Sequence, residues 1–495
     1  MSSSKSSQKR GNKVSFKPVS PFQLFYQLTY MSAMAAAGIS RARTFELAAL
    51  SSSPAAEYFA AINTLVIEFR YDYPEACRNI AGKCKSDNMK TFLLRFSDAL
   101  RSGEPLAEFL AREAGVQGED YENKYERDLE AMKQWSNAFS SIVISVSLIV
   151  VIQMISAMIY SMNPTSISMM VFAGLIIGGF GGWIIYRSAP HEIMPVSLRG
   201  GSPEQIRAFR VFRLLTPVAL ATSMMMNMFM GIELGWALIW FAALMLPAGI
   251  LSLRSDKKAR KQEEEFSTFL RSVGGMATSS GTTIKQALTK LDLTSFPMME
   301  PDIKRLSTRL QAGVAPEICW HNFGVETGSK LISEVVDIFF SGVRIGGDPE
   351  RVGYLCSLFT AKTTQLRAKR KLIAGTFSGL TTVMQGVVSG VMVFVLSIVR
   401  SFAEVVTTLL PTGQAAAEGQ QALNMSIANL TPAQLDFLNL ITVSMVLILG
   451  LIGATAIVLG DGGYKPKISF YLSLIVFISG ASLLLVPPMV AGILK

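Results

Sequence analysis

The chain has 495 residues, half of them hydrophobic, and a mean hydropathy of +0.37. These values exclude an ordinary soluble domain and describe a polytopic membrane protein. The net charge of +10 is no sign of nucleic acid, because membrane proteins gather Lys and Arg on their cytoplasmic face.

Residues 1–20 carry Ser2, Ser3, Ser4, Lys5, Lys9, Arg10, Lys13 and Lys17 with few apolar partners, the composition of a disordered basic tail. The first long apolar segment begins only near Ala138, so no signal peptide is expected and the amino terminus is placed in the cytoplasm. Residues 21–134 read as a first bundle of short helices. Phe92, Leu93, Phe96, Leu100, Phe109 and Leu110 recur there at helical spacing, and strand-like alternation is missing.

Residues 135–253 contain four apolar stretches, at Ala138–Tyr160, Ile167–Tyr186, Leu214–Met230 and Leu234–Leu253. The motifs SMNPTS and GIE join them as two tight hairpins. Residues 254–372 turn polar and helical again. Residues 373–495 add stretches at Ile373–Val399, Phe437–Leu459 and Ile468–Ile493, with a loop over 400–436. Each is long enough to cross a bilayer, which takes about 20 residues of helix. The expected fold is therefore all-α and polytopic, with about seven spans and two helical bundles.

The two bundles are copies. Pro74-Glu75-x-Cys77 is echoed by Pro316-Glu317-x-Cys319, and Phe22-x-x-Phe25 by Phe266-x-x-Phe269. The small-residue run ending at Gly38 matches that ending at Gly281, and Gly103-Glu104-Pro105 matches Gly347-Asp348-Pro349. A fixed order at near-constant offset marks a duplicated unit. Four crossings separate the copies, so both face the same side, unlike the inverted repeats of many transporters.

Loop charge orients them. Residues 254–372 carry 19 Lys or Arg against 13 acids, a balance of +6, whereas 400–436 carry Arg400 against Glu404, Glu418 and Asp436. The positive-inside rule puts 1–134, 187–213, 254–372 and 460–467 in the cytoplasm. The sequons at Asn424 and Asn429 fall in the loop left outside, where glycosylation could reach them.

Pro-Glu-x-Cys has a helix-start chemistry. Proline loses nothing in a first turn, glutamate there favours the helix dipole, and cysteine is a small apolar filler. Gly-[Glu/Asp]-Pro reads as a helix end followed by a capped start. Glu104 and Asp348 would then lie at a bundle tip, open to a partner. The basic runs Lys257-Lys258-x-Arg260-Lys261 and Lys369-Arg370-Lys371 abut spans and suit anionic lipid or an acidic cytoplasmic protein. Gly174, Gly178 and Gly182, like Gly386 and Gly390, have small-xxx-small spacing, which serves internal packing or a homodimer.

No Asp, Glu, Lys, Arg or His falls within the seven stretches, which disfavours an ion-coupled transporter. A channel would have to be lined by Gln153 and Gln385. GVETGSK at 324–330 lacks phosphate-loop spacing. With His191 and His321 the only histidines, no hydrolase set forms, and neither a catalytic residue, a metal nor a cofactor is expected.

FLRSVGGMATSSGTTIKQAL at 269–288, SGEPLAEFL at 102–110 and GGDPERVGYL at 346–355 resemble the type II secretion F-domain proteins. YDYPEACRNIAGKCKSDNMKTFLLRFSDALRSGEPLAEFLAREA at 71–114 is similar to the archaeal branch, the archaellum and type IV pilus platforms. The resemblance implies a non-enzymatic membrane platform that docks a hexameric secretion ATPase and couples it to assembly of archaellin or pilin subunits. It implies rotation too, if the filament is an archaellum. Under it, Lys257, Lys258, Arg260, Lys261, Arg344, Lys369, Arg370 and Lys371, with Glu104 and Asp348, are the expected ATPase contacts.

Overall fold

The computed structural model describes residues 16–159, 164–190, 201–409, 432–462 and 464–494. His191, both sequons and residues 1–15 lie outside that set. Sixteen α-helices and no strand occur among the described residues. They divide into two compact units.

The first unit comprises residues up to Lys124, Glu263–Phe323 and Leu331–Thr364, so it contains both copies of the repeat apart from Gly324–Lys330 of the second, which belongs to the other unit. The first copy is α1 (Pro21–Ala36), α2 (Arg41–Leu50), α3 (Ala56–Ile67), α4 (Tyr73–Ala81), α5 (Asp87–Ser102) and the opening turns of α6 (Leu106–Ile159). The second copy begins at the end of α9 (Leu234–Ser279). It continues through α10 (Ile284–Lys290), α11 (Glu300–Gln311), α12 (Pro316–Glu326), α13 (Lys330–Arg344) and the start of α14 (Pro349–Leu409). From α2 to α6, each helix starts 243 or 244 residues before its counterpart: Arg41 and Ile284, Ala56 and Glu300, Tyr73 and Pro316, Asp87 and Lys330, Leu106 and Pro349.

Left-handed residues recur at the same spacing. Gly38 (φ 72°) pairs with Gly281 (φ 56°), Gly103 (φ 76°) with Gly346 (φ 99°), and Arg70 (φ 58°) with Gly313 (φ 78°). These positions end helices, where only a residue without Cβ reaches positive φ freely. Arg70 adopts it without that freedom.

Aromatic rings fill both copies. Phe45 stacks on Phe96 at 5.2 Å and Phe96 on Phe109 at 5.4 Å. In the second copy Phe269 meets Phe296 edge-on at 5.9 Å and Phe323 at 6.0 Å. The copies join through Phe359 of α14, which lies 4.7 Å from Phe25 of α1. Each fully buried ring stabilises by about 2 kcal/mol.

Pro74 sits in the first turn of α4 and Pro316 opens α12, as the duplicated motif predicts. Cys77 and Cys319 are fully buried, and burial pushes the Cys77 thiol up to about 12. Sealed from solvent, both sulfurs pack as small apolar side chains.

The second unit holds seven helices long and apolar enough to cross a membrane. They are the later part of α6, α7 (Pro164–Ser188), α8 (Pro203–Met230), the start of α9, the later part of α14, α15 (Pro432–Asp461) and α16 (Ile468–Leu494). The expected domain boundaries at 134/135, 253/254 and 372/373 each fall inside an unbroken helix. No proline stands at these junctions. Lys, Arg and Glu are strong helix formers, so the change from apolar to charged residues leaves the backbone helical. At 1.5 Å per residue the 61 residues of α14 run about 90 Å.

Close helix contacts consume the glycine stripe. A Cβ on Gly174 would lie 2.6 Å from Val146, on Gly178 3.1 Å from Leu449, and on Gly182 3.1 Å from Ile452. That face of α7 is therefore packed against α6 and α15 of the same chain. Gln385 is engaged similarly: its amide donates to the Val446 carbonyl at 3.0 Å and to Ser479 Oγ at 3.1 Å, tying α14 to α15 and α16. A cavity beside it, lined by Val393, Thr442, Val446 and Ser479 among others, has a volume of about 10 Å³, room for one water.

Candidate functional site

Three cations and two carboxylates meet in the second unit. Asp461, at the end of α15, and Lys467, just before α16, are each only 2% exposed and form an ion pair. Lys467 Nζ also reaches Asp256 on α9 at 2.6 Å. Arg260 donates to Asp256 at 2.8 Å and to Asp461 at 3.2 Å, and Lys371 of α14 donates to both Asp461 oxygens at 3.1 and 3.2 Å. Three helices, α9, α14 and α15, and the turn leading into α16 are thus joined through one buried aspartate. Such a cluster is sustained only if every charge finds a partner, because an unmatched buried ion costs several kcal/mol.

Arg370 has a related role. Its guanidinium donates to the carbonyls of Gly460 at 2.8 Å, Pro190 at 3.0 Å and Leu459 at 3.2 Å. Two of these are the last carbonyls of α15, which have no intrahelical partner and carry the negative end of the helix dipole.

The eight cations expected to face an ATPase therefore separate into groups. Arg260, Arg370 and Lys371 hold the second unit together. Lys258 pairs with Glu204 at 2.8 Å, and Lys369 pairs with Glu126. Within the first unit Arg344 pairs with Glu317 at 3.5 Å and lies over the Phe340 ring. Lys257 and Lys261 are exposed and have no ion-pair partner among the described residues. Arg254, which the runs did not single out, is exposed as well. The spacing 254, 257, 261 puts the three on one stripe of α9. Helical periodicity applied across the boundary at 253/254 would have found it.

The two acids belong to the first unit. Glu104 forms an ion pair with Arg112 at 2.6 Å, and α6 begins only at Leu106. Asp348 does cap a helix: it accepts from the Arg351 N–H at 3.2 Å and from Thr278 Oγ1 at 2.6 Å. The Thr278 hydroxyl holds its carboxyl below the usual carboxylate range. Both turns end a helix at a left-handed glycine, but only Asp348 caps the helix that follows; Glu104 pairs with Arg112 instead.

The motif GVETGSK closes α12, turns at Thr327–Ser329 and enters α13 at Lys330. Gly328 takes φ 74°, and its carbonyl accepts from the Gln205 amide at 3.0 Å. Gln205 Oε1 meanwhile accepts from the Ser202 N–H at 3.2 Å, completing the capping box of α8. The segment positions α8 through a buried glutamine.

Residues 28–154 match the family described as type II secretion system protein F. The chain is similar to flagella accessory protein J of Methanocaldococcus jannaschii, 24% identical over 420 residues that cover 82% of this chain and 72% of that protein. It is also similar to flagella accessory protein J of Methanococcus voltae, 24% identical over 437 residues that cover 86% and 76% of the two chains. No solved structure matches.

Proposed function

We propose that this chain, a multi-pass membrane protein of the type II secretion protein F family, is the non-enzymatic platform of an archaeal archaellum or type IV pilus-like machine. Its duplicated bundles face the cytoplasm and dock a hexameric secretion ATPase, whose movements they convey toward filament subunits in the membrane. The observation that carries this reading is the helix-by-helix duplication. Two copies share one compact unit apart from Gly324–Lys330, and α6, α9 and α14 each carry residues of a bundle and of a span in one continuous helix. A helix stiff over many turns is suited to passing on displacement.

The stripe Arg254, Lys257 and Lys261 is the proposed electrostatic contact, since its charges are exposed and uncommitted. Exposed cations steer an acidic partner and set the salt dependence of its encounter. The test is co-purification of the cognate ATPase with the Lys257→Glu, Lys261→Glu double variant. The reading predicts lost ATPase and normal membrane insertion. Retained ATPase at moderate salt removes the stripe from the interface.

A further inference from the structure

The ionic cluster around Asp461 does not balance. Arg260, Lys371 and Lys467 face Asp256 and Asp461. Beside them Arg370 binds three carbonyls and no carboxylate among the described residues. Four cations thus stand against two acids, an excess of two positive charges. Arg370 and Lys467 are buried, and the side chain of Lys371, 40% exposed, forms the open edge. The carbonyls that end α15 offset part of the Arg370 charge. A desolvated surplus of one sign is otherwise costly unless a counter-charge lies against it.

Two hydroxyls at the cluster are unmatched as well. Ser255 and Tyr464 are only 3% and 7% exposed, yet their hydroxyls make no hydrogen bond among the described residues. The Tyr464 phenol lies beside Ser255 and within electrostatic reach of Asp256. Buried hydroxyls are normally paired, and both are donors suited to an anionic oxygen. The depth is informative too. Asp256 and Arg260 follow the apolar stretch ending at Leu253, and Asp461 follows the one ending at Leu459. Arg370 and Lys371 precede the stretch from Ile373, and Lys467 precedes the one from Ile468. Four span ends meet there, at the level of lipid headgroups. Leu372, next to Lys371, is 74% exposed, an apolar side chain suited to acyl chains.

We propose that this cluster is a phosphate-binding site, filled by the headgroup of an anionic phospholipid. A phosphate oxygen at the open side of Lys371 supplies negative charge that the two aspartates leave short, and its other oxygens accept from the Tyr464 and Ser255 hydroxyls. Basic pockets between membrane helices at this depth recognise lipid phosphates. An acidic protein suits the site less well, because the cations are sunk among four span ends, where a small tetrahedral anion enters and a folded surface does not. The lipid braces the points at which α9 and α14 leave the membrane.

The experiment measures thermal unfolding of the full chain in lipid nanodiscs of phosphatidylcholine alone or mixed with phosphatidylglycerol. The anionic lipid should raise the wild-type midpoint by about 3 °C, the shift expected when a ligand saturates a folded-state site. Each variant is compared with its own midpoint in phosphatidylcholine, so loss of stability by itself does not confuse the reading. Lys371→Met should lose most of the rise and Tyr464→Phe part of it. Lys257→Met, an exposed cation at the same level but outside the cluster, should keep it. No rise in wild type, or an equal rise in wild type and Lys371→Met, overturns the site. An equal loss in Lys257→Met and Lys371→Met reduces the effect to general surface charge and overturns it too. Inorganic phosphate added to phosphatidylcholine discs at matched ionic strength should give no rise. The full rise from that salt would overturn the lipid as the source of the phosphate.

Discussion

The side-chain amide of Gln205 donates to the backbone carbonyl of Gly328, 123 residues away, at 3.0 Å and out of reach of solvent. A Cβ at position 328 would lie 2.5 Å from Gln205 Oε1, and the φ of +74° is unfavourable for any residue that has one. The start of α8 and the α12–α13 turn are therefore fitted to each other.

Gly328→Ala should lower stability by about 2 kcal/mol, combining left-handed strain with a steric clash. Gln205→Ala removes the clash as well as the hydrogen bond. The double variant should be less destabilised than the sum of the single changes, because the two positions interact directly. Unfolding midpoints in detergent, measured as a four-member cycle, check this.

Lys467→Met leaves Asp256 without its ammonium partner and strips one cation from Asp461. The expected cost is about 3 kcal/mol, because one member of a buried ionic cluster has been removed. Lys257→Met, on the exposed stripe, should change stability by less than about 0.5 kcal/mol. Comparing the two variants' unfolding midpoints separates cations that hold the unit together from those free to meet a partner.

The duplication supplies its own control for Arg70. Its counterpart Gly313 holds the same left-handed turn without Cβ. Arg70→Gly should stabilise the first copy by about 1 kcal/mol, and Gly313→Ala should destabilise the second by about as much. Thermal unfolding of the full chain reads both.

Asp348 gives a pH dependence. Its carboxyl is held below the usual range chiefly by the Thr278 hydroxyl, and it also accepts from the Arg351 N–H. The folded-state pKa is thus lower than the unfolded one. The stabilisation is complete above the unfolded value of about 4 and is lost as pH falls through the lower folded value. Asp348→Asn should therefore unfold earlier than wild type at pH 7, with the gap closing below about pH 4. Denaturation midpoints across that range test the sign.

The sequence made much of this architecture legible. Apolar length alone located all seven spans, and the repeated Pro-Glu-x-Cys marked equivalent helix starts at Tyr73 and Pro316. What it concealed were partners distant along the chain. Arg370 sits in a basic run that looks solvated, yet it grips carbonyls 90 and 180 residues away. Asp461 falls in the stretch 460–467 and gathers three cations, Arg260 from α9, Lys371 from α14 and Lys467 from the turn before α16. Local composition reports how a residue enters a helix, and it carries no information on which distant backbone group the side chain will meet. Continuity across 134/135 was hidden for another reason: polarity changes there while helix propensity does not.

The central claim is that both copies of the bundle lie on the ATPase's side of one membrane. Single cysteines at the exposed positions Leu50 and Ile318, in a Cys84→Ser background, can be probed with a membrane-impermeant maleimide. Both should react in inverted vesicles and stay protected in intact cells. Labelling of one site from inside and the other from outside would contradict the account.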